Sequence, residues 1–200
     1  MSFDTVIPEE LQWPQQEQEQ QQRESGGLPG IVGGRIVRLL GEYVDKHNLG
    51  WVSGAETEYK WPGLDYPKRP DAAFITAEHL AFPDLDAIPF APDIAVEVIS
   101  KTDSLIATAT KAVEYLEADT QLVWIVNPAT RVIEVYKVGD VGPSQFLRVN
   151  DVLDGGDVLP GFTMKVGEIF ERIPITAAFK PAKGSKLVFS RSTDLNDVNS

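Results

Sequence analysis

One glutamate, Glu97, interrupts an apolar segment that has the length of a β-strand. Residues 94–99 are otherwise β-branched or small, a composition typical of a strand covered on both faces. Because a buried carboxylate without a partner costs several kcal/mol, Glu97 needs a metal ion, a cationic side chain or dense hydrogen bonding beside it. A structural ion pair or a solvated strand end would meet the same need, so this segment alone permits either a structural or a functional carboxylate.

Two of the Pro-Asp dipeptides that precede Glu97 offer candidate partners, Asp71 and Asp93. Asp93 and Glu97 would lie on one face of the same strand with their Cα atoms about 13 Å apart, too far for both to bind one metal ion easily. Asp71 belongs to another extended segment, and neighbouring strands run about 4.8 Å apart. Asp71 and Glu97 can therefore converge on one Mg²⁺, whereas Asp93 is predicted to be a turn residue or the beginning of a strand. The alternative for Asp71 is a structural role at a strand end, bonded to the backbone.

Composition narrows the classes of function. The chain has no cysteine, which excludes disulfides, thiolate metal sites and cysteine nucleophiles, and its two histidines lie in unrelated contexts. The formal net charge of −12 opposes non-specific binding to nucleic acid. It is compatible with an enzyme whose carboxylates collect divalent metal ions.

Length and hydrophobic content indicate one domain. With 200 residues, 42% of them hydrophobic, the chain can bury one sizeable core. We predict a polar N-terminal segment over residues 1–25, one domain over residues 26–173 and a C-terminal tail over residues 174–200. No apolar run approaches the roughly 18 residues that span a membrane, and the N-terminus lacks the pattern of a signal peptide, so we expect a cytoplasmic protein with no membrane partner.

The periodicity of apolar residues predicts the elements that must position these carboxylates. An amphipathic helix is expected over residues 31–50, followed by strands over residues 51–61, 69–75 and 94–99. A strand over residues 122–126 should run parallel to the strand of Glu97, because a helix connects the two. A hairpin, short strands and a closing helix are predicted over residues 132–172.

The connecting helix should begin at a cap formed by Thr102 or Asp103 and end near residue 118. Its buried stripe is predicted from helical spacing. The members of that stripe are Leu105, Ile106, Ala109, Ala112, Val113 and Leu116.

Five segments resemble, in order and spacing, the Uma family of putative restriction endonucleases, part of the PD-(D/E)XK nuclease superfamily. The resemblance covers about residues 29–172, and the segments are residues 69–74, 91–100, 111–116, 122–128 and 153–162. It implies an α/β (α+β) fold, a restriction-endonuclease-like mixed sheet flanked by helices. It also implies an endonuclease that uses one or two Mg²⁺ ions, with Mn²⁺ as a substitute, to hydrolyse DNA. Since cutting both strands usually needs two sites, we expect a homodimer.

Matched residue by residue, the resemblance implies that Asp71 and Glu97 are catalytic metal ligands. Ile99 stands where the superfamily motif has its lysine, and the resemblance implies that Lys111 takes that role. On the connecting helix Lys111 is far from the predicted buried stripe, so the alternative is a solvated lysine, and Lys101 is a rival source of the cation. A catalytically silent binding or interaction module with the nuclease fold is the alternative to an enzyme.

Overall fold

A six-stranded mixed sheet forms the centre of the protein. The structure, a computed structural model, describes residues 27–79, 87–100, 103–140 and 142–173, with the side chain of Leu105 left out. In these ranges the strand order in space follows the order in the chain, and only β3 and β4 are parallel neighbours. The strands are β1 (Gly50–Gly54), β2 (Ala72–Thr76), β3 (Ile94–Val98), β4 (Leu122–Asn127), β5 (Val132–Lys137) and β6 (Gln145–Leu147).

Helices cover both faces of this sheet, as the sequence predicts. The helices are α1 (Gly27–His47), α2 (Leu105–Glu117) and the short α3 (Val166–Ile169), and a separate hairpin consists of β7 (Val152–Gly155) and β8 (Leu159–Lys165). The larger core joins α1, the hairpin and α3 to one face of the sheet. A smaller core joins α2 to the other face. The predicted parallel crossover from β3 through α2 to β4 is confirmed.

The alternation of side chains along β3 decides the face to which Glu97 belongs. Ile94, Val96 and Val98 point into the larger core beneath α1, while Ala95 belongs to the smaller core beneath α2. Because successive strand residues point to opposite faces, Glu97 lies on the α2 side of the sheet. The helix that follows Glu97 in the chain therefore covers it.

The predicted buried stripe of α2 is wrong in part. Ala112 is buried and Leu116 packs against the smaller core as predicted, but Ile106 is 80% exposed and Val113 is 44% exposed. Thr108 and Tyr115, which lie outside the predicted stripe, are buried. With Ile106 and Val113 facing the sheet, Glu97 would be buried without the partners that α2 supplies, at a cost of several kcal/mol. The helix thus turns Lys111 and Tyr115 toward the sheet beside Ala112, and it turns Ile106 and Val113 toward solvent.

Several boundaries also differ from those predicted. Helix α1 begins at Gly27 instead of residue 31, and strand β1 ends at Gly54 instead of residue 61. The cap of α2 is Ser104, while Asp103 accepts a hydrogen bond from the backbone N–H of Ser100. Thr102, Lys101 and both predicted terminal segments, residues 1–25 and 174–200, lie outside the described residues.

Candidate active site

Asp71 and Glu97 meet across two antiparallel strands. In the register of β2 and β3, Ala72 lies opposite Val96, so the preceding residue Asp71 falls opposite Glu97. The Oδ2 atom of Asp71 accepts a hydrogen bond of 2.7 Å from the backbone N–H of Val98, which holds this carboxylate at the end of β3. The structure therefore brings together the two carboxylates that the sequence analysis selects.

Helix α2 supplies two side chains that contact Glu97. Lys111 Nζ lies 3.2 Å from Glu97 Oε2, and the hydroxyl of Tyr115 donates a hydrogen bond of 3.0 Å to Glu97 Oε1. Lys111 and Tyr115 are four residues apart, so they lie one above the other on the same helix face. Each oxygen of the Glu97 carboxylate thus has its own partner from α2, and Glu97 itself is only 9% exposed.

The site has two carboxyl groups and one lysine. Burial of Asp71 and the neighbouring charge of Glu97 raise the pKa of Asp71 from 3.8 to about 7, against the opposing effects of the Val98 hydrogen bond and of Lys111. A carboxyl group whose pKa is raised in this way favours a proton or another cation beside it. One lysine therefore does not neutralise the two carboxylates.

Lys111 and Tyr115 keep their protons in this environment. Burial lowers the pKa of Lys111, but the charge of Glu97 and its hydrogen bond raise it, and the result lies above the ordinary value. Burial raises the pKa of Tyr115 well above its ordinary value, and the charge of Glu97 raises it further. Both groups are therefore hydrogen-bond donors to Glu97 at neutral pH.

The donor set suits a hard divalent cation. Two neighbouring carboxylates without sulfur or imidazole ligands match the preference of Mg²⁺ and Mn²⁺ for oxygen, and the charge of Glu97, after burial, contributes to the raised pKa of Asp71. Among the described residues, no group of three or more His, Cys, Asp or Glu could hold a metal ion. Water and a bound phosphate would have to supply the other ligands, as is common for Mg²⁺.

Helix α1 passes directly behind Asp71. A Cβ atom at Gly33 would lie 3.3 Å from the Cβ atom of Asp71 and 3.4 Å from its carbonyl oxygen. A side chain at this position would fit only if Asp71 moved by a few tenths of an ångström, so glycine suits the close approach of the helix. Sequence analysis missed Gly33, although adjacent glycines in an amphipathic helix were a visible signal.

Asp93 is not part of this site. Its Oδ2 atom accepts a hydrogen bond from the Thr76 backbone N–H at 2.8 Å and lies 3.1 Å from His79 Nδ1. It directly precedes β3, at the end opposite to Glu97, and ties that end to β2. The prediction that Asp93 is a turn residue or the beginning of a strand agrees with its position immediately before β3.

Tyr115 is the other residue that sequence analysis missed as part of the site. Helical spacing places it on the same stripe as Lys111, far from the predicted buried stripe. Its spacing of one turn from Lys111 was the available signal, because two donors at this spacing can reach the two oxygens of one carboxylate.

Comparison with known proteins agrees with this fold. A model of the Uma2 family, described as "Putative restriction endonuclease", matches residues 10–167 of the chain. The chain belongs to the Uma2 family. In this Uma2 protein the family match begins at residue 10, whereas the resemblance noted from the sequence begins at about residue 29.

A solved structure shares the Uma2 protein's architecture. It is the crystal structure of a putative nuclease belonging to DUF820 from Anabaena variabilis ATCC 29413, with a TM-score of 0.65 and 13% sequence identity. The similarity covers 72% of this chain and 81% of the other, and at this identity it shows the fold alone. No significant match was found among curated proteins. The predicted α/β (α+β) class, a restriction-endonuclease-like mixed sheet flanked by helices, is confirmed.

No helix in the described ranges is both long enough and apolar enough to pass through a membrane.

Proposed function

We propose that this Uma2 protein is a Mg²⁺-dependent endonuclease that hydrolyses phosphodiester bonds in DNA, with Mn²⁺ able to replace Mg²⁺. The observation that carries the proposal is the meeting of Asp71 and Glu97 at one end of β2 and β3, with Lys111 on the adjacent oxygen of Glu97. The fold and the family agree with a nuclease. A homodimer and a cytoplasmic location belong to the same proposal.

Asp71 and Glu97 would hold the metal ion. When bound, the metal would supply a Lewis acid and a water molecule of lowered pKa, the chemistry that phosphodiester hydrolysis requires. The Val98 N–H keeps one oxygen of Asp71 in place and leaves the other oxygen of that carboxylate available. The Tyr115 hydroxyl and the Lys111 ammonium orient Glu97 from the opposite side.

Lys111 would bind the phosphate that is attacked. Its ammonium keeps its proton, and its side chain is 42% exposed, so one group can contact both Glu97 and a substrate. A fixed positive charge beside the phosphate stabilises the negative charge that develops in the transition state. The lysine of the superfamily motif has the same role, and here it comes from α2 instead of β3.

Because the protein is acidic overall, the metal ion should also assist the binding of DNA. With a formal net charge of −12, the protein repels a polyanion at long range. Two cations near the site, Lys68 and Arg69, are already paired with Glu114 and Glu58. DNA should therefore bind more tightly when Mg²⁺ is present, and this binding should weaken as salt is added.

A catalytically silent binding module is the second candidate. It is favoured by the ion pair between Lys111 and Glu97, which neutralises one carboxylate without any metal. It is also favoured by the lack, among the described residues, of three clustered metal-binding side chains. Such a protein would bind nucleic acid or a partner without cutting it.

Cleavage of supercoiled plasmid DNA tests the proposal. We expect nicked and linear products with Mg²⁺ or Mn²⁺, none with a chelator, and none for Asp71→Asn or Glu97→Gln. Glu134→Gln is the matched control, because Glu134 also accepts a hydrogen bond from a tyrosine but lies outside the site. DNA binding without cleavage by the wild type would identify the silent module, and equal cleavage by wild type and Glu97→Gln would overturn the proposed site.

A further inference from the structure

Tyr115 is a buried hydroxyl aimed at the candidate site. Its side chain is 1% exposed and packs in the smaller core, with its ring 5.8 Å from that of Trp61 between centroids. Its hydroxyl donates to Glu97 Oε1 at 3.0 Å. Packing on all sides leaves this donor little freedom, so its position is set by the core and not by the carboxylate.

The hydrogen bond determines which oxygen of Glu97 is available. With Oε1 bonded to Tyr115, the carboxylate cannot rotate without leaving a buried hydroxyl unpaired, which costs about 1–3 kcal/mol. The remaining oxygen, Oε2, is the one that faces the Lys111 ammonium. The cationic side of the site is therefore the Oε2 side.

We propose that Tyr115 is a positioning residue of the nuclease site, whose hydroxyl holds Oε1 of Glu97 so that the carboxylate presents Oε2 to the metal ion and to Lys111. This inference rests on the proposed function. Partners that orient a metal ligand typically account for 10–100-fold in metal affinity or activity. Tyr115 does not touch the substrate and acts through Glu97.

The chain contains a matched control for Tyr115. Tyr136 is also buried in the smaller core, and its hydroxyl also donates to a glutamate, Glu134 Oε2, at 3.0 Å. Burial and Glu134 raise the pKa of Tyr136 to about 12, so it too is a permanent donor. Tyr115→Phe and Tyr136→Phe therefore remove the same type of bond from the same core, one inside and one outside the site.

Calorimetric titration of both variants with MgCl₂ and with MnCl₂ tests the proposal, alongside thermal melts. We expect Tyr115→Phe to bind either metal roughly 10–100-fold more weakly than wild type and Tyr136→Phe to bind it as wild type does. Plasmid cleavage by Tyr115→Phe should fall at limiting Mg²⁺ and recover at saturating Mg²⁺, because the residue acts through the metal ligand. A loss caused only by weaker folding would not recover in this way.

Distinct outcomes overturn the inference and the proposed function. Equal metal affinity in Tyr115→Phe and wild type, or equal loss in both phenylalanine variants, would overturn the positioning role and leave the nuclease proposal standing. A wild type that neither binds metal nor cuts DNA would overturn both. If Tyr115→Phe does not fold, a crystal structure of the wild type with Mn²⁺ decides, because loss of the bond between Tyr115 and Glu97 in the loaded site would overturn the positioning role.

Discussion

The charge of Asp71 is linked to the stability of the fold. Its pKa is raised from 3.8 to about 7 by burial and by Glu97, so between these pH values the folded protein binds more protons at Asp71 than the unfolded chain does. The stability contributed by Asp71 is therefore complete below the lower value and is lost as the pH rises through the higher one. Within this window the loss is at most about 1.4 kcal/mol for each pH unit.

We predict that metal-free wild type loses stability relative to Asp71→Asn as the pH rises from about 4 to about 8. The amide cannot titrate, and the contributions of carboxylates that do not interact with Asp71 cancel in the difference between the two proteins. Urea unfolding of both proteins across this pH range measures the difference in their free energies of unfolding. A difference that stays constant with pH would show that Asp71 titrates normally.

Lys111 should separate catalysis from metal binding. We predict that Lys111→Met lowers cleavage by roughly 10²–10³-fold, because a charge aimed at the transition state contributes mainly there. Metal affinity should stay equal or rise, since the variant removes a positive charge that lies 3.2 Å from Glu97. Plasmid cleavage and calorimetry measure the two effects.

Lys101→Met is the comparison for Lys111, because Lys101 is the rival cation in the sequence. We expect its cleavage rate to match wild type. Cleavage lost with Lys101→Met and retained with Lys111→Met would assign the role to Lys101. Activity that survives both substitutions would mean that neither lysine is catalytic.

At the scale of elements, the orientation of α2 is open to a direct test. Ile106 is 80% exposed and Ala112 is fully buried, although both belong to the stripe that the sequence predicts to be buried. We predict that Ile106→Gln changes the free energy of unfolding by less than about 0.5 kcal/mol. Ala112→Leu should reduce it by about 1–3 kcal/mol, because extra volume in a packed core forces its neighbours apart.

Chemical denaturation of the two variants gives the answer. Strong destabilisation by Ile106→Gln together with tolerance of Ala112→Leu would mean that α2 is turned about its axis. Glu97 would then face the apolar stripe, and the site described above would not exist.

At the scale of the whole molecule, metal binding and folding should be coupled. Asp71 and Glu97 come from separate strands and are brought together by the register of β2 and β3, so the unfolded chain has no such site. A ligand that binds only the folded state stabilises it by about 2.7 kcal/mol at 100 times its dissociation constant. We predict that Mg²⁺ raises the melting temperature of wild type and leaves that of Glu97→Gln unchanged.

Thermal melts with and without Mg²⁺ measure this coupling. Without metal, Glu97→Gln should melt close to wild type or above it, because the amide oxygen can still accept from Tyr115 and the repulsion between Asp71 and Glu97 is gone. Strong destabilisation of Glu97→Gln in the absence of metal would instead make Glu97 a structural ion-pair partner of Lys111.

The sequence by itself determined the central strands, their parallel connection and the choice of partner for Glu97. Short apolar segments and the parallel pairing of two strands joined by a helix follow from local composition and chain geometry, and strand spacing favoured Asp71 over Asp93 because it depends only on the periodicity of β-structure. These properties depend on the residues of one segment or of two neighbouring strands, and not on contacts with the rest of the protein.

Only the tertiary structure decided which face of α2 turns inward. Helical spacing ranked the stripes of α2 by hydrophobicity and selected the one containing Ile106, since that ranking contains no information on what lies beneath the helix. The surface beneath it includes Glu97, and a buried carboxylate is stabilised by the donors Lys111 and Tyr115 more than by apolar side chains. The tertiary structure also decided the role of Gly33, because the close contact between α1 and Asp71 exists only in the folded protein.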